Sequence, residues 1–195
     1  MVKGRESDMP VESIWQTFFD PATLLRDLDC EGQHDVIEFG CGYGTFSIPA
    51  AKMITGSLYA MDIDVSMVHA TKMMAMEVGV SNVHVDCKDF MLNGSGRDSA
   101  SFDYAMIFNI LHIEQPLTLL AESHRVLKTA GKLAVIHWKP GYTPRGPSME
   151  IRPTPNQCLL WANQVGFSLV RHQELTGSPW HWGMVLERIA CGDAD

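Results

Sequence analysis

Residues 35–54 constrain the chain more than any other stretch. The run Asp35-Val36-Ile37-Glu38-Phe39 is short and apolar, which predicts a buried strand. Gly40, Gly42 and Gly44 follow at alternate positions, then a helical pattern from about Thr45 to Ile54 that Gly56 ends. A strand that turns through glycines straight into a helix belongs to α/β architecture.

The alternation continues along the chain. Leu58 to Asp62 is a second predicted strand. A helix from about Val65 to Val78 follows, with Asp64 or Ser66 as N-cap, Gly79 as stop, and Met67, Met74 and Val78 at helical spacing. Asn82 to Asp86 and Phe102 to Phe108 read as strands three and four. Pro116 opens a helix that keeps its period through Leu117, Leu120 and Leu127 to Lys128, with Gly131 past its end. Lys132 to Trp138 is strand five. Lys139 to Pro153 holds four prolines and two glycines and reads as a loop. A helix from about Pro155 to Val165 and a strand pair at 167–173 and 182–188 complete the pattern. The expected fold is a doubly wound α/β sheet, mostly parallel, whose last strand is antiparallel and lies at the edge. Residues 1–32, with Trp15, Phe18 and Phe19, read as an N-terminal helical extension covering the ligand edge of a domain at 33–195.

Composition narrows the function. A length of 195 residues fits one domain with one substantial core. The net charge of −8 argues against nucleic acid as a partner, because phosphate binding needs a basic face. Cys30, Cys41, Cys87, Cys158 and Cys191 are scattered and form no C-x-x-C pair, which suits free thiols in a reducing compartment. Met1 to Asp8 is polar and no apolar run follows, so no signal peptide is expected. No stretch has the length of a membrane span. A soluble, cytoplasmic protein is expected, with a homodimer as one option for its oligomeric state.

In open α/β sheets, ligands bind outside the carboxyl ends of the strands. Glycines there let a ligand approach the backbone and allow positive φ. The spacing is G-x-G-x-G rather than the dinucleotide fingerprint G-x-G-x-x-G, because Thr45 follows Gly44. Glu38 precedes the glycines, and an acid there suits a cationic ligand better than a pyrophosphate. Asp62 ends strand two, where a carboxylate can accept both ribose hydroxyls of an adenosine. Asp64 reads as a helix cap. Asp89, after strand three, could receive an adenine amino group with Phe90 flanking the ring. Each acid alone could be a turn or cap residue; acids at three successive strand ends form a more specific pattern.

The segments Val36–Gly44, Tyr59–Ser66, Cys87–Phe90 and Phe102–Ile136 resemble the successive motifs of class I S-adenosylmethionine (SAM)-dependent methyltransferases. Glu122-Ser123-His124-Arg125-Val126-Leu127-Lys128-Thr129-Ala130-Gly131 resembles the E-x-x-R-V-L-K-P-G-G run of the type 11 group, with Thr129 and Ala130 in place of Pro and Gly. The resemblance implies a Rossmann-like seven-stranded sheet with SAM across its carboxyl edge. It places Glu38, Gly40, Cys41, Gly42, Gly44, Asp62 and Ile63 around the methionine and ribose parts. It places Asp89 and Phe90 near adenine, and Asn109 beside the cofactor after strand four.

A sulfonium already activates its methyl group, so such an enzyme mainly positions a nucleophile and, where needed, removes its proton. His112 and His137 follow strands four and five and are candidates for a general base or orienter, or else cap strand ends. Arg145 and Arg152 sit in the loop after strand five, where a substrate enters, and arginine suits carboxylate or phosphate. They could equally pair with surface acids. Trp138, Trp15 and the Pro179-Trp180-His181-Trp182 run could wall a substrate pocket or seal the sheet end. No metal site is expected, since no paired Cys or H-E-x-x-H spacing occurs, and the twelve methionines read as packing residues. The expected activity is methyl transfer from SAM to a small molecule with an anionic or polar group. The alternatives are a non-catalytic SAM-binding partner subunit and a nicotinamide-dependent oxidoreductase.

Overall fold

The computed structural model describes residues 9–190. Met1 to Asp8 and Cys191 lie outside them. Within them, helix α1 (Glu12–Trp15), a 3₁₀ turn (Gln16–Phe18) and α2 (Pro21–Asp27) precede the first strand. Then β1 (Val36–Phe39), α3 (Ser47–Met53), β2 (Leu58–Asp62), α4 (Val65–Glu77) and β3 (Val83–Cys87) alternate. The single-turn α5 (Phe90–Asn93), β4 (Phe102–Phe108), α6 (Pro116–Val126) and β5 (Leu127–Trp138) follow, then α7 (Pro155–Gln164), β6 (Phe167–Gln173) and β7 (His181–Arg188).

The seven strands form one sheet in the order β3-β2-β1-β4-β5-β7-β6. Strands β1 to β5 are mutually parallel. The last strand is antiparallel to both its neighbours, as expected, but it lies between β5 and β6 rather than at the edge. The edge falls to β6. Adjacent strands joined by a short turn pair with each other whichever of them is outermost, so sequence order left this open.

Strand β1 is buried along its whole length, consistent with a central strand covered on both faces. Side-chain alternation divides the core in two. Val36, Tyr104, Met106, Ile136 and Trp138 join the face covered by α2 and α3. Ile37, Phe39, Ile107, Leu133 and Val135 join the face covered by α6 and α7. Leu24, Leu25 and Leu28 of the N-terminal segment are fully buried in the first of these clusters. Arg171 of β6 further ties this segment down, donating to the Asp27 carbonyl at 3.1 Å and pairing with Asp29 at 2.7 Å.

Several helix ends form as their residues dictate. Asp64 caps α4 through the Ser66 N–H, and Pro116 opens α6. Thr154 and Gln157 form a capping box on α7. Three local expectations change. The buried stripe of α4 is Val68, Thr71 and Ala75, leaving Val78 exposed. Strand β5 starts at Leu127, with a register shift where Ala130 takes φ 62° at the position a glycine would occupy without strain. Of the methionines, Met61, Met106 and Met184 are buried, whereas Met73, Met76 and Met149 are at least half exposed.

Candidate cofactor and acceptor site

The carboxyl ends of β1, β2 and β4 converge on the glycine loop. Gly40 and Cys41 both donate N–H bonds to the Met61 carbonyl, at 2.8 and 3.0 Å, tying the loop to β2. Gly40, Gly42 and Gly44 have φ of 84°, 53° and 81°, which accounts for glycine at alternate positions. Gly42 donates its N–H to Asp62 Oδ2 at 3.0 Å, and Asp64 donates to Asp62 Oδ1 at 3.0 Å. The loop and the end of β2 therefore hold the Asp62 carboxylate between them. Burial raises the Asp62 pKa, and these N–H bonds oppose the rise.

Glu38 lies inside the central strand and is 1% exposed. Ser47, at the start of α3, donates its hydroxyl to Glu38 Oε2. Burial pushes the Glu38 carboxyl up to about 8, the Ser47 bond opposes this, and the nearby Asp62 charge adds to it. Burial likewise pushes the Cys41 thiol up, so Cys41 is a neutral thiol in the loop.

Asn109 follows β4 with φ 56° and donates its N–H to the Ile136 carbonyl at 2.8 Å. Its side-chain oxygen and nitrogen are both buried without a hydrogen-bond partner among the described residues. Asp89 Oδ1 caps α5, accepting from the Met91 and Leu92 N–H groups at 3.2 and 3.1 Å. Phe90 is buried edge-on to Phe39, with ring centroids 5.5 Å apart. The Ile63 carbonyl faces the Cys87 thiol at 3.7 Å. Met9 and Pro10 lie against the loop. A Cβ on Gly42 would stand 3.0 Å from the Met9 methyl, and Tyr43 donates to the Pro10 carbonyl at 3.2 Å.

The two histidines singled out in the sequence meet in the fold. His112 Nδ1 and His137 Nε2 are 3.2 Å apart. Both are buried, His137 completely. Burial, then the charges of His112 and His181, holds His137 well below the usual histidine range. Pairing of β5 with β7 sets Trp182 opposite His137 and His181 opposite Trp138. His181 Nδ1 lies 2.7 Å from Ser178 Oγ. Burial, followed by Lys139 and Arg152, depresses the His181 pKa to about 3. The sequence showed His181 only as part of an aromatic run; its place beside the histidine pair follows from the β5–β7 pairing.

The other substrate-side candidates occupy distinct settings. Trp138 and Trp15 are both buried, edge-on to each other at 6.4 Å, within an aromatic cluster that includes Phe18. Gly146 lies against the Trp138 ring, where a Cβ would stand 2.7 Å from it. Arg152 turns inward on its own loop. It donates to the Lys139 carbonyl at 2.9 Å, Thr143 Oγ1 at 2.8 Å and the Pro147 carbonyl at 2.7 Å. Arg145 lies on the exposed part of that loop. With Tyr142, Met149 and Arg152 it lines a surface cavity of ≈ 330 Å³. No group of three or more metal-ligating side chains converges among the described residues. No described helix is long and apolar enough to cross a membrane.

A single reversed strand in the order β3-β2-β1-β4-β5-β7-β6, with an acid behind a glycine loop and another ending β2, defines the class I SAM-dependent methyltransferase arrangement. Residues 36–131 match the family described as a methyltransferase domain, and the chain is a SAM-dependent methyltransferase of this class. It is similar to a SAM-dependent methyltransferase from Aquifex aeolicus, at 24% identity and a TM-score of 0.80, over 91% of this chain and 94% of the other. It is also similar to a putative type 11 methyltransferase from Sulfolobus solfataricus, at 22% identity and a TM-score of 0.71, over 91% and 97% of the two chains. The [4+2]-cyclase SpnF shares the fold at 15% identity and a TM-score of 0.74, over 97% and 85%. No protein of curated function matches the sequence.

The cofactor of this class is SAM. The residues present suit it. Gly40, Gly42 and Gly44 add no side chains of their own to the loop, and the Asn109 amide has hydrogen-bonding capacity left over; Glu38 and Asp62 are the acids that would face a cationic, ribose-bearing ligand there.

Proposed function

We propose that the protein transfers the methyl group of SAM to a small-molecule acceptor carrying an anionic or strongly polar group. The juxtaposition that carries this reading is the His112–His137 pair, in which His112 follows Asn109 after β4 and meets His137 at the end of β5. When bound, SAM supplies an electrophilic methyl group. Glu38 balances the cationic part of the cofactor, Asp62 accepts the ribose hydroxyls, and the Asn109 amide fixes the cofactor beside β4. His112 orients the acceptor or takes its proton, with His137 packed behind it as its ring partner. Burial, then the charges of His112 and His181, disfavours a charge on His137, so His137 serves as the neutral ring partner.

Lys139, Arg145 and Arg152 cluster on one loop in a chain of net charge −8, which supports an anionic acceptor. The N-terminal segment, with Met9 and Pro10 against the glycine loop, acts as a cover for cofactor and acceptor. The acidic balance supports a partner other than nucleic acid. Buried free thiols at Cys30, Cys41 and Cys158 support a reducing, cytoplasmic setting.

Calorimetric titration with SAM and S-adenosylhomocysteine, with NAD as control, tests the cofactor assignments. Asp62→Ala should weaken both sulfur nucleosides by about 100-fold, from the loss of two charge-assisted hydrogen bonds. A panel of small carboxylates, phenols and thiols then tests the acceptor. His112→Ala should lower turnover on the best acceptor at least about 100-fold while leaving S-adenosylhomocysteine affinity unchanged. Full turnover by that variant would remove His112 from the chemistry. Cofactor binding with no turnover on any acceptor would favour the partner-subunit reading.

A further inference from the structure

Thr71 stands in the middle of α4, apart from every sequence motif, and is fully buried. A mid-helix threonine commonly returns its hydroxyl to the carbonyl four residues earlier. This one reaches across to the glycine loop, where Thr71 Oγ1 donates to the Gly42 carbonyl at 2.9 Å. The Cys41 sulfur lies 3.6 Å from the same hydroxyl. The fit is mutual, because a Cβ on Gly44 would stand 3.1 Å from both Thr71 Oγ1 and Cγ2. Glycine at 44 therefore makes room for threonine at 71.

The consequence falls on Gly42. Its N–H is held by Asp62 Oδ2 at 3.0 Å and its carbonyl by Thr71. Gly42 has φ 53°, and glycine has many other conformations open to it. Two side chains on separate elements, one ending β2 and one inside α4, fix it in this one. Thr71 thereby also fixes the N–H group that orients the Asp62 carboxylate.

We infer that Thr71 is a positioning residue for the cofactor: through Gly42 it presets the glycine loop and the Asp62 carboxylate in the geometry that receives the adenosine ribose. This rests on the reading of Asp62 as the ribose acceptor. Thr71 need not touch the cofactor itself. Its contribution is preorganisation, since a loop already ordered loses less freedom on binding.

The test is a titration of the full-length protein with S-adenosylhomocysteine, with thermal unfolding measured alongside. Thr71→Val keeps the shape and removes the hydroxyl, and should weaken binding about five- to twentyfold, the range for one lost buried hydrogen bond. Thr71→Ser keeps the hydroxyl and should bind within about twofold of wild type, even if loss of the methyl group lowers its melting temperature. A purely structural role would give the reverse pattern, with melting changed in both variants and binding in neither. In an Asp62→Asn background, Thr71→Val should have little further effect, because coupled residues are not additive. Should Thr71→Val not fold, Thr71→Ala against Thr71→Ser gives the same comparison. Wild-type binding with an unchanged Thr71→Val affinity overturns the inference alone. Failure of wild type to bind overturns the cofactor-site reading as well.

Discussion

Replacing Glu38 with Gln should stabilise the cofactor-free protein in neutral solution while weakening its hold on SAM. The unfolded chain ionises this carboxyl near its usual 4.5, and the folded protein near 8. Between those values the folded state holds the extra proton. The stability this confers is full below 4.5 and is lost as pH rises through 8. Each pH unit inside the window removes about 1.4 kcal/mol, so on the order of 3 kcal/mol has gone by pH 7. Gln has nearly the same shape, can accept the Ser47 hydroxyl through its amide oxygen, and never ionises. Urea unfolding of both proteins at several pH values between about 5 and 9 reads the effect directly. The advantage of Glu38→Gln should grow by about 1.4 kcal/mol per unit up to pH 8 and then level off. Other titrating groups are common to both proteins and cancel in the difference. SAM binding by wild type at pH 7 should release a proton, visible as a dependence of binding heat on the buffer, and the variant should release none. A stability difference that is flat with pH would refute the idea that Glu38 is held neutral by burial.

The acid side should show the opposite slope. His137 and His181 are held below the usual histidine pKa of 6.5, so the unfolded state binds more protons below that value. For His181, stability is then full above pH 6.5 and falls by about 1.4 kcal/mol per unit as pH drops towards about 3, and His137 acts in the same direction. His181→Gln should flatten this limb in denaturant titrations. Arg152→Met should free the 139–147 loop at a stability cost of about 2 kcal/mol, measured by thermal unfolding. It should raise the acceptor KM at least about tenfold and leave S-adenosylhomocysteine affinity unchanged, because its bonds all lie within the loop.

Local chemistry made much of this molecule readable. The spans of β2 and β4 fall where short apolar runs placed them, Asp64 and Pro116 open their helices because the capping groups are local, and α7 starts at Pro155 as expected. The glycine spacing predicted positive φ, and the loop has it at all three positions. What depended on distant pairing was hidden. The approach of His112 to His137 needs β4 and β5 side by side, and the inward turn of Arg152 needs the loop to close on itself. Thr71 carried no signal, since a buried threonine on a helix looks like any other core position until the loop it meets is in place. The buried stripe of α4 differs from the apolar one because Met67 and Met74 outweigh Thr71 and Ala75 in apolarity, while the smaller residues are the ones buried.

The position of β7 bears on how the chain is assembled during synthesis. Residues 181–188 are made after every other described strand, yet they hydrogen-bond to β5 on one side and β6 on the other. Until they leave the ribosome, β5 has an open edge facing solvent and β6 has no neighbour at all. Such unpaired edges invite pairing with other chains. A nascent chain halted after β6 would carry its glycine loop, Asp62 and both histidines of the pair, but would lack the strand that closes the sheet. Late truncations or slow release should therefore appear first as aggregation, even though they remove none of the residues assigned to the cofactor.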